Sequence, residues 1–221
     1  MKFRTWGGKR RGAGRPQVKE RKSEPHRTRT PIKWNKPVHV SLRVVKDVGR
    51  LRRMDRYAAV RGSLVLMLAR TDFRVIHVSI QSNHIHLLVE AASATALARS
   101  MQAFQISAAR KLNAQLGRTG TVFPDRYHST VITSRRGARN ALAYVLNNWR
   151  RHREDLMMDV EHWLVDKFSS AIQFDGWAEH DRWSVPDDYE PLPVTRPESW
   201  LLRTGWKIHG LISIHERPAR A

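Results

Sequence analysis

Hydrophobic and polar residues alternate strictly over residues 37–45, where an apolar side chain occupies every second position. This alternation predicts a strand that buries one face in a core and turns the other outward. Runs rich in apolar and β-branched residues predict three further strands, at 73–80, 84–90 and 127–134. The strands at 73–80 and 84–90 are separated by a short turn and are expected to form a hairpin.

Helical spacing predicts helices over residues 47–70, 94–116 and 136–152. The middle helix has the clearest limits, because Ser93 can cap its start and Gly117 follows its end. The first helix is expected to turn Leu51, Met54, Ala58 and Val65 inward, and the third has the apolar stripe Leu142, Val145, Leu146 and Trp149.

The order β-α-β-β-α-β-α is that of the split βαβ, ferredoxin-like arrangement in the α+β class. It predicts an antiparallel sheet with helices on one face and the other face free for a ligand. The apolar positions of the first and third strands are expected to face the helices: Val38, Val40, Leu42, Ile85, Leu87 and Val89. If Ile76, Val78 and Ile80 of the second strand do the same, the pleat turns a polar set of side chains to the free face. That set is His39, Ser41, Arg43, His77, Ser79, His84 and His86.

The charge favours a nucleic-acid partner. Forty Lys and Arg stand against twenty Asp and Glu, which gives a net charge of +20 and a pI near 11.4. The absence of cysteine excludes disulfides, zinc fingers and cysteine nucleophiles. No apolar run reaches the length of a membrane span and the N-terminus lacks a secretory pattern, so we expect a cytoplasmic protein associated with the nucleoid.

The charge also divides the chain into three expected regions. Residues 1–33 carry +10 and are rich in Gly and Pro, which predicts a disordered basic arm. Residues 34–152 carry +15 and form the expected catalytic domain, with only five scattered acids. That is too few for a carboxylate cluster holding two metal ions. Residues 153–221 form a tryptophan-rich extension that is acidic up to residue 200 and is expected to wrap the core.

His84 and His86 form the one His-x-His of the chain. On a strand this spacing projects both imidazoles from one face, close enough to share a divalent cation. Two histidines on an ordinary polar sheet face remain an alternative. Tyr144 and Asn148 lie one helical turn apart, away from the apolar stripe of the third helix, and an ordinary half-exposed tyrosine is the alternative there.

Three segments together resemble the single-tyrosine HUH transposases, and in particular their REP-associated (IS200-like) tyrosine transposase branch. Residues 82–89, Ser-Asn-His-Ile-His-Leu-Leu-Val, are similar to the family's His-hydrophobic-His signature. Residues 120–129 are similar to the segment before its last strand, and residues 143–148 to the Tyr-x-x-x-Asn of its catalytic helix. Trp149 departs from the pattern, since relatives often have proline after the asparagine.

The resemblance implies a metal-dependent endonuclease and strand transferase that acts on single-stranded or hairpin DNA. His84 and His86 would hold Mg²⁺ or Mn²⁺, with Asn148 at the position of a third ligand. Mn²⁺ suits this nitrogen-rich set better. Tyr144 would attack the scissile phosphate and form a 5′-phosphotyrosine. The family's members work as monomers or dimers, so a homodimer is possible and the sequence leaves the oligomeric state open.

Several basic residues are expected to contact DNA: Arg11, Arg15, His39, Arg43, Arg126, Arg135 and Arg136. Residues 11–16 resemble an AT-hook only in part, and a non-specific phosphate-binding tail is the stronger interpretation. Trp163 or Trp206 could stack on an unpaired base, although core packing is the simpler expectation. Two other functions stay open: a non-cleaving hairpin-binding protein of the same ancestry, and a basic protein that binds a protein or ribosomal partner.

Overall fold

The computed structural model describes residues 31–33, 36–156, 164–179 and 185–218. Almost all of the predicted basic arm therefore lies outside the described residues, as do the predicted DNA contacts Arg11 and Arg15. Trp163 lies outside them as well.

A four-stranded antiparallel sheet forms the centre of the fold. Its strands are β1 (Val38–Arg43), β2 (Phe73–Ile80), β3 (His84–Ala91) and β4 (His128–Val131). They lie in the order β2-β3-β1-β4, and every neighbouring pair is antiparallel. This is the strand order of the ferredoxin-like arrangement, so the predicted fold class is confirmed. β4 is shorter than the predicted 127–134.

Two helices pack on the first face of the sheet, α1 (Met54–Val65) and α2 (Ala94–Gln115). The Ser93 hydroxyl caps α2 by accepting a hydrogen bond from the Ala96 amide at 3.1 Å, and Gly117 follows the helix with a positive φ of 59°. The apolar side chains of β1 and β3 enter this core as predicted: Val38, Val40, Leu42, Ile85, Leu87 and Val89.

The predicted inner face of α1 was wrong except at Leu51, which is buried just before the helix begins. Met54 and Val65 are exposed, and the helix instead buries Tyr57, Val60 and Leu64. The cause is a break in periodicity. A 3₁₀ turn at Lys46–Val48 and a non-helical segment come before α1, which begins seven residues later than predicted. Leu51 therefore lies outside the helix and does not mark its buried face.

The second face of the sheet is not free over its whole width. The helix α3 (Arg135–Leu146) packs on it, with Leu142 and Leu146 in the same cluster as Leu88 of β3. Ile76 of β2 also points to this face, against prediction, because the register with β3 shifts between Val75 and His77. The apolar stripe of α3 is buried against the apolar side chains of this face. The part of the face near the histidines stays open.

The C-terminal extension completes this second core. Trp177, Trp206 and Ile212 are buried beside α3, and the short helix α5 (Trp200–Arg203) lies at the same edge. Acidic residues of the extension pair with the basic domain: Arg52 bonds Asp166, Arg74 bonds Glu198 and Arg61 bonds Glu190. The expectation that the extension packs on the core is thus met where the structure describes it. None of the described helices is long and apolar enough to cross a membrane.

Candidate functional site

Three histidines meet a tyrosine on the open part of the second sheet face. The His84 and His86 ring centroids are 4.6 Å apart, and those of His86 and His39 are 5.2 Å apart. The Tyr144 ring from α3 lies 5.1 Å from that of His86 and 5.6 Å from that of His39. The pleat places the three histidines there, and the packing of α3 brings the tyrosine to them.

A hydrogen bond joins two of these imidazoles. The distance between His39 Nε2 and His86 Nδ1 is 3.1 Å. His39 lies opposite Leu88 in the β1–β3 register and Ser41 opposite His86, so the two histidines are diagonal neighbours on one face. His86 Nε2 is buried and has no hydrogen-bond partner among the described residues.

The first histidine of the pair is oriented by its neighbour in the chain. His84 Nδ1 lies 2.7 Å from Asn83 Oδ1. An amide oxygen only accepts hydrogen bonds, so His84 Nδ1 carries the proton and Nε2 keeps its lone pair. His77, by contrast, is buried outside the cluster, against the Ser170 hydroxyl and the Phe174 ring. The predicted group of four histidines is therefore a group of three, because the extension covers His77.

The clustered imidazoles are neutral near pH 7. Burial lowers the pKa of His84 to about 4, helped by His152 and Arg43, and burial lowers the pKa of His39 to about 4. The pKa of His86 falls well below its usual value, first through burial and then through its histidine neighbours. Neutral imidazoles offer lone pairs to a cation and accept hydrogen bonds.

Tyr144 opens onto a cavity of about 530 Å³. His39, Ser134 and Asn140 line this cavity together with the chain segment Glu216–Pro218. Arg139 of α3 holds the segment through paired bonds to Glu216 at 2.9 and 2.8 Å. The extension thus forms one wall of the space in front of the tyrosine.

The predicted helix 136–152 is interrupted. α3 ends at Leu146, Asn147 adopts φ −105° and ψ 16°, and the short helix α4 covers Asn148–Arg151. The Asn147 side chain bonds the Ser213 carbonyl oxygen at 2.9 Å, which links the break to the extension. Trp149, the residue that departs from the family pattern, is buried directly after the break.

Asn148 is fully buried, and neither atom of its side-chain amide has a hydrogen-bond partner among the described residues. A buried amide without partners costs free energy, so such a group usually marks a ligand or water site. Its assignment as a third metal ligand stays a prediction.

The basic residues predicted to bind DNA lie at the end of β1, before β4 and at the start of α3. Arg43 is exposed at the end of β1, directly opposite His84. Arg126 is exposed shortly before β4, and Arg135 and Arg136 are exposed in the first turn of α3. His39 is half-buried between His86 and Tyr144 and lines the cavity in front of the tyrosine, and its role as a DNA contact stays a prediction.

Two residues near the site had not been singled out from the sequence. Arg151 places its guanidinium 5.7 Å from the centroid of the Tyr144 ring, and the His152 ring lies 5.7 Å from that of His84. Arg151 stands seven residues after Tyr144, two helical turns on, and this spacing was the one available signal. The break at Asn147 makes that signal unreliable without a structure.

The residues present fit a divalent cation. No three side chains among His, Cys, Asp and Glu are arranged as a metal site in the described ranges. Two imidazoles and an amide are nevertheless a suitable donor set for Mn²⁺. The unpaired His86 Nε2 and the unpaired Oδ1 of Asn148 are the kind of buried acceptor atoms that a cation would satisfy.

Residues 49–148 match the family model described as "Transposase IS200 like". Over this region, which is somewhat less than half of its length, the chain is similar to the IS200-like transposases. The match includes His84, His86 and Tyr144 and ends at Asn148. His39 and the C-terminal extension lie outside it.

Two solved structures are similar to this chain at 12% identity. One is a REP-associated tyrosine transposase bound to a REP hairpin, with a TM-score of 0.48, covering 58% of this chain and 74% of the other. The second is a suspected transposase from Deinococcus radiodurans, with a TM-score of 0.37, covering 51% of this chain and 87% of the other. No curated protein matches the sequence.

Proposed function

We propose that the protein is a metal-dependent endonuclease and strand transferase for single-stranded or hairpin DNA, with Tyr144 as its nucleophile. One observation carries the proposal: a tyrosine at the mouth of a cavity, in ring contact with two neutral histidines. The other three tyrosines, Tyr57, Tyr127 and Tyr189, are buried in the main core. Tyr144 is therefore the tyrosine that a DNA strand can reach.

The histidine pair and Asn148 would hold the cation, which we expect to be Mn²⁺ or Mg²⁺. When bound there, the ion would act as a Lewis acid on the scissile phosphate and would fix its position. The scarcity of acids around the site agrees with this ligand set, because the proposed chemistry needs no carboxylate cluster.

His39 supports the pair by fixing one tautomer. If His86 Nδ1 donates its proton to His39 Nε2, the buried His86 Nε2 keeps a lone pair for the cation. The opposite tautomer would leave a buried N–H without a partner, which is costly. His39 is thus a positioning residue that acts through His86.

Tyr144 carries the covalent step. Its phenol oxygen forms a bond to phosphorus while the bond from phosphorus to the 3′-oxygen breaks, which leaves a 5′-phosphotyrosine and a free 3′-hydroxyl. The proton lost by the tyrosine balances the proton gained by the 3′-oxygen. Because a phosphodiester replaces a phosphodiester, a second 3′-hydroxyl can reverse the step and join strands without ATP.

Arginines complete the site. Arg43 lies opposite His84 and Arg151 lies over the Tyr144 ring, and both would bind the charged phosphate. Arg126 and Arg136 would contact the strand further out.

Cleavage of a labelled single-stranded or hairpin oligonucleotide in Mn²⁺ tests the proposal. The expected product is a protein–DNA adduct that survives denaturing electrophoresis, is absent with chelator and is lost in Tyr144→Phe. Tyr127→Phe is the matched control, since it also removes one phenol oxygen and is expected to keep the adduct. DNA binding without cleavage under any metal would instead identify a hairpin-binding protein of the same ancestry.

A further inference from the structure

We propose that Trp200, Lys36 and Arg135 form a subsite for one unpaired nucleotide of the DNA strand. The base would stack on the indole, and a phosphate would lie between the two cations. This inference rests on the proposed function, because it extends the bound strand beyond Tyr144. Lys36 and Trp200 lie outside the region that matches the transposase family.

Trp200 is the exposed tryptophan in the part of the chain that the structure describes. Its exposed fraction is 53%, whereas Trp149, Trp177 and Trp206 are buried. Burial of Trp206 removes one of the two tryptophans that the sequence had suggested for base stacking. An indole held at the surface is a stacking platform for any unpaired base, because every base has a π face.

The indole is fixed rather than loose. Its six-membered ring lies against Gly205, where an added Cβ would stand only 2.4 Å from the ring atom Cζ3 of Trp200. The glycine therefore lets the ring pack directly on the backbone. A platform that is already ordered loses little entropy when a base stacks on it.

Two cations stand beside this platform. Lys36 and Arg135 line the same cavity of about 450 Å³ as Trp200, together with the hydroxyls of Thr133 and Ser134. Neither cation makes an ion pair with a residue in the described ranges. The acid nearest to Trp200 in sequence, Glu198, is held by Arg74 at 2.6 Å. The subsite is thus positively charged and complementary to phosphate.

This cavity adjoins the one in front of the tyrosine. Thr133 and Ser134, at the junction of β4 and α3, line both of them. A single strand that leaves Tyr144 along this junction would reach Lys36 and Arg135 next. The geometry therefore favours an unpaired flank of the cleaved strand over a paired stem, whose bases are already stacked on each other.

Binding of fluorescently labelled hairpins, with and without unpaired flanks, tests the subsite by anisotropy in metal-free buffer. For flanked hairpins, Trp200→Ala is expected to raise Kd roughly 5- to 150-fold, the range for loss of one base–aromatic stack. Trp200→Phe should recover most of the affinity. Blunt hairpins should bind Trp200→Ala as tightly as wild type.

The roles of Lys36 and Arg135 are tested separately, by the salt dependence of DNA binding. Lys36→Gln and Arg135→Gln should each reduce the slope of log affinity against log salt by about 0.7, the value for one phosphate contact on a single strand. Ile208→Ala is the matched control, because this exposed residue lies in the same extension and outside the cavity. It should bind every oligonucleotide like wild type.

Three results would overturn the subsite. The first is that Trp200→Ala binds flanked hairpins with the same Kd as wild type, and the second is that it loses affinity equally for flanked and blunt hairpins. The third is Trp200-dependent binding of an oligoglutamate peptide in place of DNA. Failure of the proposed function is recognised separately, since a wild-type protein without adduct in Mn²⁺ would still show the flank-dependent binding.

Discussion

His39 Nε2 lies 3.1 Å from His86 Nδ1, so a histidine of β1 orients one of the two proposed metal ligands on β3. Loss of this bond should weaken the cation site even though His39 is not itself a ligand. We expect His39→Ala to lower the affinity for Mn²⁺ by about 10- to 100-fold, the usual effect of removing such a partner. Titration of free Mn²⁺ by electron paramagnetic resonance measures this without DNA.

Two variants make that experiment specific. His39→Gln places an amide oxygen near the position of Nε2 and should restore much of the affinity. His77→Gln changes a buried histidine of the neighbouring strand, outside the cluster, and should bind Mn²⁺ like wild type. Wild-type Mn²⁺ affinity in His39→Ala would show that the bond has no role in the site.

Stability should fall in mild acid because of the buried His77. Burial lowers its pKa to about 4 in the folded protein, only partly opposed by Asp175, whereas the unfolded chain binds a proton near pH 6.5. Between these values the unfolded state holds more protons, so the free energy of unfolding decreases as the pH falls. One such histidine contributes at most about 1.4 kcal/mol per pH unit.

Urea denaturation at pH 7 and pH 5 measures this effect. The loss of stability on acidification should be smaller in His77→Gln than in wild type by up to about 2 kcal/mol. The histidines of the cluster add to the loss in both proteins equally, so the difference isolates His77. Identical losses in the two proteins would contradict the assignment.

The extension should be an integral part of the folded domain. Arg52 and Asp166 form a fully buried ion pair, with contacts of 2.9 and 2.8 Å, that joins the start of α1 to the extension. Asp166→Ala leaves the guanidinium buried without its carboxylate and should cost roughly 3–5 kcal/mol of stability. Urea denaturation at pH 7 measures this loss.

The exposed pair Arg61–Glu190 offers the comparison. Glu190→Ala also removes a carboxylate that pairs with an arginine of α1, but in solvent, so it should cost less than about 1 kcal/mol. An Asp166→Ala protein as stable as Glu190→Ala would mean that the extension does not depend on the buried pair.

The sheet and its histidines could be predicted because they follow from alternation alone. A period of two residues assigns the outward side chains of β1 and β3, and both His84 and His86 lie where it places them. The prediction fails where the regular spacing of buried residues is interrupted locally. The bulge at Ile76 and the late start of α1 each change which side chains face the core, and neither has a clear signal in the sequence.

The surroundings of the site were harder to predict, because they depend on contacts between distant segments. The contact of His39 with Tyr144 requires α3 to lie on the second sheet face, and part of the walls near Tyr144 and Trp200 comes from an extension without periodic pattern. The break at Asn147 coincides with the bond from its side chain to Ser213, a contact between segments far apart in the chain. Residue composition indicated that the extension packs, but not where.

The most direct test of the central claim is to map the covalent adduct by peptide mass spectrometry after cleavage in Mn²⁺. We expect a single modified peptide that carries a 5′-phosphorylated nucleotide on the oxygen of Tyr144. A nucleotide attached to any other residue, or cleavage that yields two free DNA ends without an adduct, would contradict it.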